Sequence, residues 1–220
     1  MSKTAIILGA TGLTGGYLLQ ELIADTRYGK IKIFSRSSVA VKNSKIEEHL
    51  TDLLKLEDEK DNFKGDEVFC CIGTTKNKTP DEETYKRIDY GIPVVAAKLA
   101  KQNGISTFAV ISALGADESS KMFYNRIKGE MELDVIAQNI ESTYIFQPSL
   151  IAGDREEKRT FENLAKSLMK VVNPIMIGSL KKYRSIHPET IAKGMIEAAN
   201  RGYPKKIIPS DEIKELAGEN

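Results

Sequence analysis

The sequence has no tryptophan, and only two histidines and two cysteines among its 220 residues. The cysteines, Cys70 and Cys71, are neighbours within an apolar run, so they cannot form an ordinary bridge to each other. Unpaired thiols in a buried strand suit a reducing compartment, and the expected location is cytoplasmic. No stretch of 18 apolar residues occurs, so no helix is expected to span a membrane. The chain opens directly into an apolar strand pattern with no h-region or cleavage site, so no secretory leader is expected. Neither charge dominates: 32 basic and 31 acidic residues leave a net charge of +1, with no global pull towards nucleic acid or an anionic membrane. A Gly-x-Ser-x-Gly elbow, a paired Ser-His arrangement and metal-ligand spacing are all missing, so hydrolase and metalloenzyme readings have no residues to carry them. His49 and His187 are expected to be structural. The hydrophobic share of 41% is enough for a sizeable core and argues against disorder.

What is present begins at Thr4. Thr4 to Leu8 is a short continuous apolar run, as in a strand buried on both faces. Gly9, Gly12 and Gly15 follow at three-residue intervals, and Leu18, Leu19, Leu22 and Ile23 fall on one face of a helix. Strand, glycine turn and helix in that order predict a dinucleotide-binding turn. Gly9 makes the tight turn, Gly12 admits a pyrophosphate and Gly15 lets helix and strand approach. The anion then meets the N–H groups of Thr11 to Gly15 at the helix N-terminus. A second strand, Ile31–Phe34, ends in Ser35-Arg36-Ser37-Ser38. Arg36 lies 21 residues beyond Gly15, at the offset where the adenosine ribose is read. A guanidinium among hydroxyls, with Ser37 beside it, suits a 2′-phosphate, so NADP is expected over NAD; a solvated loop arginine is the plainer alternative.

Lys45–Leu50 is read as a short edge strand. Asp52 after it either faces the adenine amino group or caps a helix. Glu67–Ile72 is a buried strand whose end, Ile72-Gly73-Thr74-Thr75, lies where open α/β sheets bind ligands. A helical stripe through residues 85, 88, 92, 95, 96 and 99 stops at Asn103-Gly104, and Pro93 should kink or split it near Tyr90-Gly91. Further strands are read at Ser106–Ser112, Thr143–Phe146 and Lys205–Ile208, with helices around Phe161–Met169 and from Pro188. Tyr124 and Lys128, four apart, project from one face of the helix after strand five. Alone, such a pair is common on amphipathic surfaces. The strand and helix alternation implies an α/β fold, a doubly wound parallel sheet of the Rossmann type with a small C-terminal substrate-side extension.

The run Gly9-Ala-Thr-Gly12-Leu-Thr-Gly15, the strand end at Ser112 and Tyr124-x-x-x-Lys128 together resemble the atypical and extended short-chain dehydrogenase/reductase superfamily. Cys70–Thr75, Ile111–Asp117, Phe123–Glu130 and Gln147–Arg155 resemble its Tat-interacting-protein oxidoreductase branch in particular. The likeness is collinear from Thr4 to Asn200. It implies an NADPH-dependent reductase in which Tyr124 gives a proton to a carbonyl oxygen. A phenol titrates near pKa ~10, and Lys128 one turn away would lower that value and hold the nicotinamide ribose. Ser112 would hydrogen-bond the same oxygen. Ile151 and Arg159 would contact the cofactor region after strand six. Two positions depart from the pattern: Ala113 stands where a catalytic serine is usual, and Asp89 where an asparagine supports a proton relay.

The expected organisation is one NAD(P)-binding unit over residues 1–220, with 153–220 partly forming the substrate side. The expected partner is a small carbonyl compound, not nucleic acid, and a homodimer is a further expectation. Two other readings stay open: a non-catalytic NADPH-binding protein, favoured by Ala113, and a nucleotide-sugar epimerase or dehydratase, which would use the same tyrosine and lysine. Such enzymes usually carry a larger C-terminal domain.

Overall fold

A computed structural model describes residues 2–152 and 178–219. Among the described residues seven strands run in chain order: β1 (Lys3–Leu8), β2 (Tyr28–Ser35), β3 (Ile46–Leu50), β4 (Glu67–Cys70), β5 (Thr107–Ile111), β6 (Ser142–Gln147) and β7 (Ile207–Pro209). They form one sheet in the order β3-β2-β1-β4-β5-β6-β7, every pair parallel. Parallel neighbours need a crossover between them. The described helices are α1 (Leu13–Ala24), α2 (Glu82–Lys86), α3 (Ile92–Gln102), α4 (Phe123–Ala137), α5 (Pro188–Arg201) and α6 (Ser210–Leu216), with a 3-10 helix at Leu53–Glu59 and a further short one at Gly178–Tyr183. The doubly wound α/β fold is the expected one. The helix read around Phe161–Met169 lies outside the described residues.

Strand residues alternate between two cores, as period-two geometry requires. Ala5 and Ile7 of β1, Ile31 and Ile33 of β2 and Phe69 of β4 point to the face covered by α1 and α5. Ile6, Leu8, Phe34, Val68 and Cys70 point to the opposite face, under the Leu53–Glu59 3-10 helix, α3 and α4. Burial on both faces is why β1 reads as an unbroken apolar run. Leu18 and Leu22 of α1 are both fully buried, and truncating either to alanine would cost about 2–5 kcal/mol.

The stripe over residues 82–102 holds, and its interruption takes a specific form. Arg87–Gly91 is a π turn joining α2 to α3, with Pro93 in the first turn of α3. Proline has no N–H to give the carbonyl four residues earlier. The widened turn accommodates that loss without ending the helix: Gly91 and Ile92 keep helical dihedrals.

At the N-terminal ends of the strands a carboxylate is sealed in. Glu67, 2% exposed, accepts from Lys3 Nζ at 2.5 Å and from the Tyr28 hydroxyl at 2.5 Å. Asn200 of α5 donates to that hydroxyl at 2.6 Å and accepts from Lys3 at 2.9 Å. Burial, then the Glu67 charge, push the Tyr28 phenol far above its ordinary range. The cluster fastens α5 to β1, β2 and β4 at the pole opposite the candidate site.

Candidate active site

Strand order reverses between β1 and β4, and the loops leaving these two strands touch. Gly9 has φ +87°, open to glycine, and a Cβ there would lie 2.8 Å from the Cys71 carbonyl oxygen. A Cβ on Gly15 would lie 2.1 Å from the Gly9 carbonyl oxygen, so α1 rests on the turn backbone. Gly12 caps α1 without a side chain, and the first turn contains no acidic residue. The leading N–H groups of a helix have no partner four residues back. Here they open beside exposed Thr11 and Gly12, half-buried Leu13 and buried Thr14. This is a cradle for an anionic phosphate, closed on the strand side and open outward.

Arg36 follows β2 directly and is exposed, with no hydrogen bond or ion pair to another described residue. Ser35 Oγ donates to the Ser37 carbonyl at 2.7 Å, curling the chain beneath it. Asp52 lies just past β3, and its Oδ1 accepts the Leu54 N–H at 3.0 Å. Capping is therefore the reading its geometry realises. Ile72 is half-buried and Gly73 exposed on the loop after β4. Ile151 forms a parallel bridge with Ile186. Arg159 lies outside the described residues.

Tyr124, Lys128 and Glu132 occupy successive turns of α4. Tyr124 is 40% exposed, whereas Lys128 and Glu132 are buried. Lys128 Nζ meets Asp89 Oδ1 at 3.0 Å, and Asp89 Oδ2 accepts the Thr74 N–H at 2.7 Å. Burial pulls the lysine down, but the Asp89 carboxylate together with the Tyr124 and Cys70 groups more than offsets it, and the net shift is upward. Lys128 stays an ammonium. Burial first, with the Asp89 charge adding to it, drives the Cys70 thiol beside it up to about 11, against the Ile72 N–H and the Lys128 charge.

Ser112 is 4% exposed, and its hydroxyl donates to Glu132. Gln147 Nε2 reaches both Glu132 oxygens, at 2.9 and 3.0 Å. The hydroxyl expected at the substrate oxygen is thus engaged within the protein. Burial raises the Glu132 carboxyl, against the bonds from Ser112 and Gln147 and the nearby Lys128 charge. Of the other hydroxyls in this loop, Ser119 Oγ donates to Asp117 at 2.7 Å, and Ser120 Oγ accepts the Met122 N–H at 3.2 Å. Glu132 escaped sequence reasoning, and Thr74 and Gln147, read there as parts of strand ends, gave no sign of their Asp89 and Glu132 partners. The i, i+4, i+8 polar stripe on α4 was the signal for the first of them.

A strand-end glycine cradle, an arginine at the ribose offset and a tyrosine and lysine after β5 thus meet at one end of the sheet. Residues 9–202 match the NAD(P)H-binding family model. The chain belongs to the NAD(P)H-binding family. FMP52, mitochondrial, from Debaryomyces hansenii is 36% identical over 97% of this chain and 97% of its own length. FMP52-1, mitochondrial, from Scheffersomyces stipitis is 31% identical over 97% and 96%. HTATIP2 from Rattus norvegicus is 32% identical over 75% of this chain and 69% of its own. Among solved structures, MoeE5 in complex with UDP-glucose and NAD aligns with a TM-score of 0.70 at 13% identity, over 98% of this chain and 81% of that one. A Helicobacter pylori ADP-L-glycero-D-manno-heptose-6-epimerase also gives 0.70 at 13% identity, over 99% and 83%. The structural likeness is one of fold. With the relatives, it places this NAD(P)H-binding chain in the atypical short-chain dehydrogenase/reductase superfamily.

One expectation is corrected. The FMP52 proteins that match nearly end to end are named mitochondrial, which points to a mitochondrial rather than cytoplasmic location. Free thiols argue against an oxidising compartment but do not choose among reducing ones, so Cys70 and Cys71 could not have decided it.

Proposed function

We propose that the protein is an NADPH-dependent oxidoreductase that reduces a small carbonyl compound. The observation that carries this reading is a charged, buried Lys128 one helical turn from exposed Tyr124, at the sheet end that holds the glycine cradle. The cradle's N–H groups and the backbone approach at Gly9 fit a pyrophosphate, and exposed Arg36 fits a 2′-phosphate. Bound NADPH would supply hydride. Tyr124 Oη would hold and release the proton that the reduced oxygen takes up, and the Lys128 charge would ease that release. The loop Ile72–Thr75 would pack along the nucleotide, with Ile151 on the far side of the cleft. Exposed Met122 and Leu150 follow the same pole of the fold and suit an apolar substrate. In this reading residues 1–220 act as one NAD(P)-binding unit, with the segment from 153 contributing to the substrate side, and the protein pairs as a homodimer.

A second reading is favoured by one observation: Ser112 is held by Glu132, and Ala113 offers no replacement hydroxyl. A protein that binds NADPH to stabilise a partner-binding form would need neither. Titration with NADPH and NADH, followed by a carbonyl-substrate screen on wild type and Tyr124→Phe, separates them. Turnover lost by a factor of about 10²–10⁴ in the variant supports the reductase. Nucleotide binding without turnover in wild type supports the second reading, and no nucleotide binding refutes both.

A further inference from the structure

Two parts of the candidate site, the loop leaving β4 and the Lys128 turn of α4, are separated in sequence but share one buried carboxylate. Asp89 is 1% exposed and lies in the π turn. One of its oxygens meets Lys128 Nζ at 3.0 Å and the other takes the Thr74 backbone N–H at 2.7 Å. A Cβ on Gly73 would sit 3.6 Å from Asp89 Oδ1, so the loop backbone lies directly on the carboxylate. We propose that Asp89 is a positioning residue, fixing the spacing between the Gly73–Thr75 loop and Lys128 and so holding the nucleotide side and the reacting side of the site in register.

A carboxylate suits this position for a reason of geometry. It offers one oxygen to the cation and the other to the amide N–H, whereas an asparagine side chain would turn its NH2, a donor, towards one of those two donors. The partner on the loop is backbone, so the tie acts on the chain path and not on a mobile side chain. The loop is braced further by the Thr74–Thr79 hydroxyl contact at 2.9 Å and by Tyr85, whose hydroxyl donates to the Thr74 carbonyl at 3.3 Å. Four groups face Lys128: Asp89 from the π turn, Cys70 from β4, and Tyr124 and Glu132 from its own helix. Of these, Asp89 alone forms an ion pair with it among the described residues. The inference rests on the reductase reading for what Lys128 does, but the tie itself is a property of the free protein.

The test compares wild type with Asp89→Asn by lysine side-chain NMR titration and amide hydrogen exchange without nucleotide, then by NADPH titration. Loss of the anionic partner should weaken proton binding at Lys128 by about tenfold or more. Exchange at Thr74 should accelerate by about tenfold or more while Ile6 in β1 stays protected. NADPH affinity should fall about tenfold with the loop released. A folded variant with unchanged Lys128 titration and unchanged Thr74 exchange would overturn the proposal. Should Asp89→Asn fail to fold, the paired Asp89→Asn/Lys128→Met variant removes the uncompensated buried charge. Fast exchange at Thr74 relative to Lys128→Met alone would then support the tie, and equal exchange would overturn it. If wild type binds no nucleotide, the reductase reading falls, while titration and exchange still decide whether Asp89 joins loop and lysine.

Discussion

Replacing Gly15 with alanine separates two opposing effects in the nucleotide turn. Alanine favours a helix over glycine by about 1 kcal/mol, so on propensity alone the change stabilises α1. The added Cβ, however, would lie 2.1 Å from the Gly9 carbonyl oxygen, 2.7 Å from the Gly9 carbonyl carbon and 3.1 Å from Ala10 Cα. All three are backbone, and the first falls short of the ~3.5 Å optimum by more than an ångström. Relief requires moving α1 off the turn, an overpacking penalty of about 3 kcal/mol at the upper end of the usual range. The net expectation is destabilisation by about 2 kcal/mol. Gly16→Ala is the internal control, because its Cβ would meet only the Ala10 carbonyl oxygen, at 3.7 Å. That variant should be stabilised by about 0.5–1 kcal/mol. In a chain of this size the two should differ in Tm by roughly 5–12 °C. Thermal and urea unfolding read the stability, and NADPH fluorescence titration reads the cradle, which Gly15→Ala should impair and Gly16→Ala should leave intact. A Gly15→Ala protein as stable as Gly16→Ala, with equal nucleotide affinity, would refute the close-approach account.

Arg36→Ala should weaken NADPH about tenfold or more and leave NADH affinity unchanged, as paired titrations would show; equal losses would remove the 2′-phosphate assignment. Tyr28→Phe takes one hydrogen bond from sealed Glu67 and should lower stability by about 1–3 kcal/mol in urea unfolding without changing nucleotide affinity. Glu47, on β3, is held at about 2 instead of its ordinary 4.5, first by Lys30 and further by His49 and Lys32 against partial burial. A depressed carboxylate stabilises the fold above its unfolded value and loses that contribution as pH falls, so the stability gap between wild type and Glu47→Gln should be full at pH 6 and close between 4.5 and 2. A gap that is constant with pH would show that Glu47 acts by packing.

What could be read from the sequence was what depends on neighbours along the chain. β1, β4, β5 and β6 declare themselves because burial on both faces leaves no polar alternation, and the glycine turn because its spacing is local. β2 begins at Tyr28, three residues before its apolar run, since Gly29 and Lys30 are exposed in a strand that follows β1 by register alone. The π turn stayed hidden because the apolar stripe runs through it at near-helical spacing and Pro93 suggests only that something gives way. The site splits along the same line. Tyr124 and Lys128 share a helix, so their pairing is visible as i, i+4. The Asp89–Lys128, Ser112–Glu132 and Tyr28–Glu67 contacts join residues on different elements, and no periodicity reports them. Asp89 stands out along the chain as a departure from a family pattern, but its two partners, Lys128 and the Thr74 N–H, come from other elements.

The π turn has a consequence for length variation. An α-helix advances about 100° per residue, so one residue added or removed rotates whatever lies beyond it by that angle. Arg87–Gly91 carries such an extra residue, and it lets buried Tyr85 before the turn and buried Ile92 after it both face inward with Asp89 between them. Deleting one residue here would leave Pro93 inside an α-helical run with nothing to accommodate its missing N–H, and would swing α2 by about 100° relative to α3. A single-residue gap at this point in a related chain is therefore a change of wiring: a homologue without the extra residue must secure its lysine with some group other than Asp89.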